Sequence, residues 1–312
     1  MAQTAATQLS AFTGFLKADE AAGIFDQAAR QSVVQALSPR IPLGINGAEI
    51  PVVMSKPSAA WVGEGAKKST TEMSLGLKSI KPKKIAAISV MSAEVVRANP
   101  GGYSDKLREH LAEAFARAFD LAVLHDAGGD GTAGAGPFDN YIDQTALEVE
   151  LGTATQANGG VYADLNSALK LLVDSGKKLT GFVFDEIAEP VLNAATDTTG
   201  RPLFVDATYE NTALDGGRVL RRPAFYASEI GTAVVAGTPN TGGIVGYAGD
   251  WAATAWGAVG GITFSVSTES SVTINGTLTS LWENNLVAVK AEAEYGWVQR
   301  DTASFVKLTN HD

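Results

Sequence analysis

The chain has 312 residues, of which 45% are hydrophobic, and carries a formal net charge of −10 from 24 basic and 34 acidic side chains. That length allows one large domain or two modest ones around a sizeable core, and the acidic balance excludes a protein whose main task is gripping nucleic acid, since phosphate binding draws on clustered Lys and Arg. Cysteine is absent, which excludes thiolate catalysis, disulfide staples and cysteine-held zinc or iron–sulfur sites.

Residues 1–40 are rich in Ala, Gln and Thr, and Phe12, Phe15, Ile24 and Phe25 give only a weak helical pattern, too little for an independent core. An arm that leans on another surface is expected. Met1 to Ser10 lacks the basic and apolar regions of a signal peptide, and no apolar run approaches the roughly 18 residues needed to span a bilayer. The expectation is assembly in the cytosol with no membrane partner.

From Ile41 the texture turns to short β-like runs, Ile50–Met54 and Ala60–Val62, followed by the turn-prone Gly63-Glu64-Gly65. In residues 66–84, Lys67, Lys68, Lys78, Lys81, Lys83 and Lys84 interleave with Leu75, Leu77 and Ile80, which predicts a long, exposed two-stranded ribbon. Isolated hairpins are marginal in water, so the ribbon needs a partner surface. Its lysines lack interleaved aromatics and read as partners for acidic patches on adjoining subunits rather than for DNA.

A helix is predicted over residues 104–126. Leu107, Leu111, Phe115, Phe119 and Val123 recur every four residues, Ala114, Ala118 and Ala122 widen the stripe, Ser104 caps the start and Gly128-Gly129 ends it. The Gly-rich residues 127–136 are expected to be a flexible connection. Asp164 to Leu172 forms a capped amphipathic helix stopped by Gly176; Gly181–Phe184 is a buried strand; Asp185 caps a further helix through Ile187, Val191, Leu192 and Ala195, with Pro190 blurring its start. Residues 219–275 alternate strand-like runs with Gly turns. At the end, Val287, Val289, Ala291, Ala293 and Tyr295 alternate with polar or small positions, and Trp297 to Phe305 is expected to return as a second strand after Gly296.

Enzyme signatures are weak. Gly129-Asp130-Gly131-Thr132-Ala133-Gly134 matches a dinucleotide fingerprint in letters, but a helix precedes it where a strand is required, and Gly136-Pro137 follows. His110 and His125 are fifteen residues apart and His311 is in the tail, so no metal-ligand pair forms, and His125 suits a helix end. Asp185, Glu186 and Glu189 read as helix-start residues, and no nucleophile elbow is present. No catalytic residue, metal site or cofactor is expected; a dinucleotide-dependent oxidoreductase built on residues 127–136 is the rival from another class.

Several segments, in order, carry a resemblance: Ala59–Gly65, Pro82–Val96, Leu111–Asp120 followed by Gly128, Gly200–Phe204, Gly249-Asp250-Trp251, Val287–Glu292 and Ala303–Val306. Together they resemble the major capsid family of tailed phages, with the Hong Kong 97-type fold. The resemblance implies an α+β chain divided into an N-terminal arm (1–40), a peripheral domain (41–140) with an extended loop (61–84) and a spine helix (104–126), an axial mixed α/β domain (141–275), and a return to the peripheral domain (276–312). It implies a virion protein, assembled in the host bacterial cytoplasm, whose copies form pentamers and hexamers of an icosahedral shell around double-stranded DNA without reading its sequence. A portal and decoration proteins are implied partners, and the short segment before the core points to a separate scaffolding protein or a mature form. Trp61, Glu64, Lys67, Lys68, Lys83 and Lys84 are the implied inter-subunit contacts. Some members join Lys to Asn between subunits; Lys78, Asn284, Asn285 and Glu283 supply those residue types, although surface lysines are common enough to weigh against the link. An encapsulin-like bacterial compartment, loading cargo enzymes, is the rival with the same fold.

Overall fold

The structure is a computed structural model that describes residues 32–99, 103–193, 195, 215–228, 230–232 and 243–310. Residues 1–31, Gly200–Phe204 and His311 lie outside these.

Two short helices, α1 (Val33–Leu37) and α2 (Ala93–Ala98), precede the long helix α3 (Tyr103–His125), whose bounds fall within one residue of those predicted. Phe115, Phe119 and Val123 are buried as their spacing requires, with Ala112, Ala116, Ala118 and Ala122 beside them, whereas Ala114 is exposed. The helix stops earlier than Gly128-Gly129: Asp126 takes the left-handed conformation at φ 54°. Residues 127–136 are a tight turn rather than a flexible connection. Gly128 N–H donates to Thr132 O (2.8 Å) and Gly136 N–H to Asp126 O (2.9 Å), and Gly136 packs so closely on the helix end that a Cβ has no room against Asp126.

Residues 32–40, expected in the arm, belong to the body. Val33 and Val34 are fully buried, and the start of α1 is held by Asp120 of α3, whose carboxylate accepts from Ser32 Oγ (2.6 Å) and from the N–H groups of Val33 (3.1 Å) and Val34 (3.3 Å). An acid suits the positive end of a helix, but burial pushes the Asp120 pKa up to about 7.

The first strands are β1 (Ala48–Ser55), β2 (Ser74–Ile80) and β3 (Lys83–Ser92). After α3 come β4 (Glu148–Leu151), the helix α4 (Gly160–Asp174), β5 (Gly181–Asp185) and a short helix α5 (Glu189–Asn193). The remaining strands are β6 (Asp215–Val219), β7 (Arg222–Ala227), β8 (Ile244–Gly249), β9 (Thr254–Ala258), β10 (Thr263–Ser267), β11 (Ser271–Ile274), β12 (Thr277–Ser280), β13 (Leu286–Gln299) and β14 (Phe305–Asn310).

One sheet is built on β13, antiparallel to β3 along one edge and to β10 and then β9 along the other. Ala291, Ala293, Tyr295 and Trp297 turn inward into a core shared with Phe115, Phe119 and Val123 of α3. β13 runs straight through Gly296, where the alternation suggests a turn. A side chain at Gly296 would strike Leu43 Cδ2 at 2.7 Å and Ile80 Cγ1 at 2.8 Å, and its ladder partner Gly257 meets Leu43 Cβ at 2.8 Å, so the paired glycines form a slot for Leu43. Gly296→Ala is expected to lower the unfolding free energy by about 1–3 kcal/mol through overpacking. An unchanged denaturant midpoint would show that the slot has slack.

β14 lies outside this sheet, in a second one of six strands in the order β4-β14-β8-β5-β7-β6, so residues 277–310 divide among the β11–β12 hairpin, the β13 sheet and the six-stranded sheet. β14 is parallel to β4, and β5 to β7; the other neighbours are antiparallel. Leu165, Ala168 and Leu172 of α4 cover one face against Phe182, Phe184, Val306 and Leu308, while Val183, Tyr247 and Phe305 on the other face join the α3 core. Both faces are covered, which explains why β5 is buried throughout. α4 begins before Asp164, which is no cap: it is buried and accepts from Gly152 N–H (2.8 Å) and Thr153 Oγ1 (3.1 Å). Gly176, at φ 70°, follows the end of α4 as predicted. Asp185 accepts from Ile187 N–H at 3.1 Å, then Pro190 falls in the first turn of α5, where its missing N–H costs nothing; Ile187 itself is exposed.

Candidate assembly surface

β1 and β2 form the ribbon, paired antiparallel from Ala48↔Ile80 to Ser55↔Ser74. It therefore starts earlier than the expected 61–84: the Ile50–Met54 run is its first arm, and Lys83 and Lys84 already belong to β3. At the root, Ile80 is buried with Leu43, Ala255 and Val298, and Ala48 and Ile50 are half-buried against them. The tip does not fold back. Every residue from 55 to 75 is exposed, and Trp61 at 105% relative exposure is bare to solvent.

The pairing explains which face stays open. Pro51 lies opposite Leu77 and Val53 opposite Leu75, so strand alternation gathers these four on one face, where all are exposed. Val62 and Met73 add to the apolar area, which isolated ribbons do not normally leave wet. The Ser55 and Ser74 hydroxyls (2.8 Å apart) and Ser58 N–H donating to Thr71 Oγ1 (2.8 Å) hold the base of the tip together.

The structure brings Trp61, Glu64, Lys67 and Lys68 together on that tip and places Lys78 near the root on β2. Lys83 and Lys84 part company. Lys84 Nζ lies 2.5 Å from Glu292 Oε1, and Lys290 Nζ is 2.9 Å from the other Glu292 oxygen, so Lys84 is engaged inside the chain rather than held ready for a neighbour. The hydrogen bond from Lys84, then that from Lys290, holds the Glu292 carboxyl below its ordinary range, and the same contact raises Lys84. Lys83 forms no ion pair with the described residues.

Lys78 and the asparagines lie far apart within one copy. Asn285 Nδ2 donates to Glu94 Oε1 (2.5 Å) and Asn284 Nδ2 to Ser280 O (2.8 Å) beside the start of β13, whereas Lys78 sits near Val298 at the far end, about 40 Å along the strand. Within one copy they do not meet. Sequence reading missed the Pro51–Val53–Leu75–Leu77 stripe, which depends on register, and the β11–β12 hairpin, for which Asn275-Gly276 between alternating residues was the available signal.

The sequence matches the Phage capsid family over residues 14–310. The chain belongs to the phage capsid family. The capsid protein is 41% identical to a Mycobacterium phage L5 protein named probable major capsid protein, over 99% of this chain and 94% of that one. Among solved structures it resembles a chain of Gordonia phage Cozz (TM-score 0.70, 26% identity, covering 96% of this chain and 89% of that one). It also shares its fold with the capsid of an empty GTA particle (TM-score 0.64, 12% identity, covering 96% and 94%). The capsid protein is an α+β structural component of the virion, not an enzyme.

The residues with catalytic chemistry serve this architecture. Gly129–Gly134 follows a helix and forms the hydrogen-bonded turn described above, with none of the strand-to-helix geometry a dinucleotide site requires. His125 is the last residue of α3; its Nδ1 lies 2.8 Å from Asp143 Oδ2 and its Nε2 2.8 Å from Ile230 O, while Tyr247 Oη donates to Asp143 Oδ1 (2.7 Å). This part-buried cluster ties the helix end to the second sheet, and burial of Tyr247 raises its pKa well above the ordinary value.

Proposed function

We propose that the capsid protein is the major shell subunit of a tailed phage, that its copies form pentamers and hexamers, and that these close an icosahedral shell around double-stranded DNA held without sequence-specific contacts. The α3 helix with the β13 sheet serves as the peripheral domain, the six-stranded sheet with α4 as the axial domain, and the β1–β2 ribbon as the extended loop. The net charge of −10 suits a container wall, because a weakly repulsive inner surface lets packed DNA slide and leave.

The observation that carries this reading is the ribbon, which is anchored at Ile80 and exposed over its whole tip, with an apolar stripe that only another molecule can cover. Repeated around a ring, such a contact adds many modest areas, so avidity sets shell stability. Negative-stain microscopy of the purified protein should show closed, uniform particles; a persistent, folded monomer would overturn the reading. Replacing residues 57–72 with an Asn-Gly turn removes only exposed residues and shortens the loop to be closed, so it should leave the unfolding free energy unchanged or raised by up to about 2 kcal/mol, yet abolish closed particles. Normal particles from that variant would remove the ribbon from assembly.

A further inference from the structure

We infer that Trp61 of one capsid protein inserts into a cleft at the ribbon root of the next copy, with Glu64 pairing to Lys83 at its rim. This rests on the shell-subunit reading and names the partner surface of the ribbon tip.

The cleft has a volume of about 350 Å³ and lies between α3 and the start of β3. Phe119, Phe138, Tyr295 and Ile85 line it, and Ala122 leaves it deep where a larger side chain would fill it. Burial among these groups pushes the Tyr295 pKa up to about 12. An indole is the right kind of guest, since a large aromatic gains most from leaving water and meets other rings favourably edge-on.

Two exposed tryptophans compete for the role. Trp282 follows Leu281, which is fully buried, so its backbone is fixed on the body and does not project. Trp61 stands on the projecting tip between Ala60 and Val62, with Gly63 beyond, so little around it obstructs entry to a recess. The chain's own tip is separated from its own cleft by the length of the ribbon arms, roughly 25 Å, because Lys83 immediately follows the root at Ile80. A tip-to-root contact is therefore between copies and heterologous, the type that repeats into a closed ring.

Charge gives the register. Glu64 lies three residues beyond Trp61. At the cleft Lys84 is already committed to Glu292, whereas Lys83 has no ion-pair partner among the described residues.

The natural absence of cysteine permits a direct test. In particles assembled from a Glu64→Cys, Lys83→Cys double variant, a short bismaleimide should give a ladder of linked chains on a denaturing gel, with the 64–83 linkage identified by mass spectrometry; Glu283→Cys, Lys83→Cys should give none. Trp61→Ala should raise the concentration needed for assembly about tenfold or more, the scale of an aromatic hot spot. Glu64→Lys and Lys83→Glu should each do likewise, and the two together should restore assembly, with melting temperatures confirming that all variants fold. Closed particles of the Glu64→Cys, Lys83→Cys variant that give no ladder, or reversals that leave the threshold unchanged, would overturn the inference while the shell reading stands. A wild-type chain that forms no particles even when co-expressed with its phage's other head proteins would remove both.

Discussion

Phe119→Ala should lower the unfolding free energy of the capsid protein by about 4 kcal/mol, within the range for deleting a buried ring. Phe119 is buried at the middle of α3 and touches four other rings: Phe138 edge-on with centroids 5.9 Å apart, Tyr295 at 5.3 Å, Trp256 at 6.2 Å and Trp297 at 6.5 Å. Those partners come from β9, β13 and the segment after the helix, so the ring joins elements that are distant in sequence. The loss combines removed apolar area with a cavity that surrounding rings, being rigid, fill poorly. A guanidinium titration should show a lower midpoint with an unchanged slope. A loss below about 1 kcal/mol would mean that the cluster collapses around the gap.

Stability of the isolated subunit should fall as pH rises from about 4 to about 7, and Asp120→Asn should remove that component. The unfolded carboxyl ionises near 3.8, whereas burial raises the folded value to about 7 against the opposing hydrogen bonds from Ser32, Val33 and Val34. Between these values the folded state keeps a proton that the unfolded state releases, so each step upward in pH favours unfolding, by at most about 4 kcal/mol across the window. Asp301 acts in the opposite sense: the Lys177 hydrogen bond lowers its pKa, and its contribution, present in neutral solution, is lost on acidification. The pH-dependent part of the difference between wild type and Asp120→Asn isolates the buried group, because Asn keeps one oxygen for Ser32 Oγ and Val34 N–H and loses the Val33 N–H bond equally at every pH. Parallel urea midpoints from pH 5 to pH 8 would show that Asp120 is ionised in the fold. Asp120→Ala should be worse at every pH, since it leaves three buried donors unpaired.

The candidate site was legible in its chemistry and less so in its bounds. The lysine-studded tip with Trp61 and Glu64 reads directly as surface that lacks a core, and the structure exposes all of it. The intrachain partner of Lys84 was not legible, because a lysine two positions into a strand looks the same whether or not a glutamate lies opposite, and Glu292 is 208 positions away. The apolar stripe was hidden for a similar reason: Pro51 and Val53 join Leu75 and Leu77 only once the register of β1 on β2 is set.

By itself the sequence determined what short-range physics controls. The four-residue recurrence from Leu107 to Val123 makes α3, Gly176 ends α4, the all-apolar Gly181–Phe184 becomes a strand buried on both faces, and the absence of cysteine removes whole classes of chemistry. Tertiary structure decided the rest: that Gly296 is a slot for Leu43 rather than a turn, that β14 crosses to the second sheet, that Asp120 receives α1, and that the ribbon begins at Ala48. Periodicity and capping act between residues a few positions apart, so they can be read along the chain. The use of a glycine, the partner of a charge and the sheet a strand joins depend on side chains brought together from distant positions, and these become definite only when the core closes.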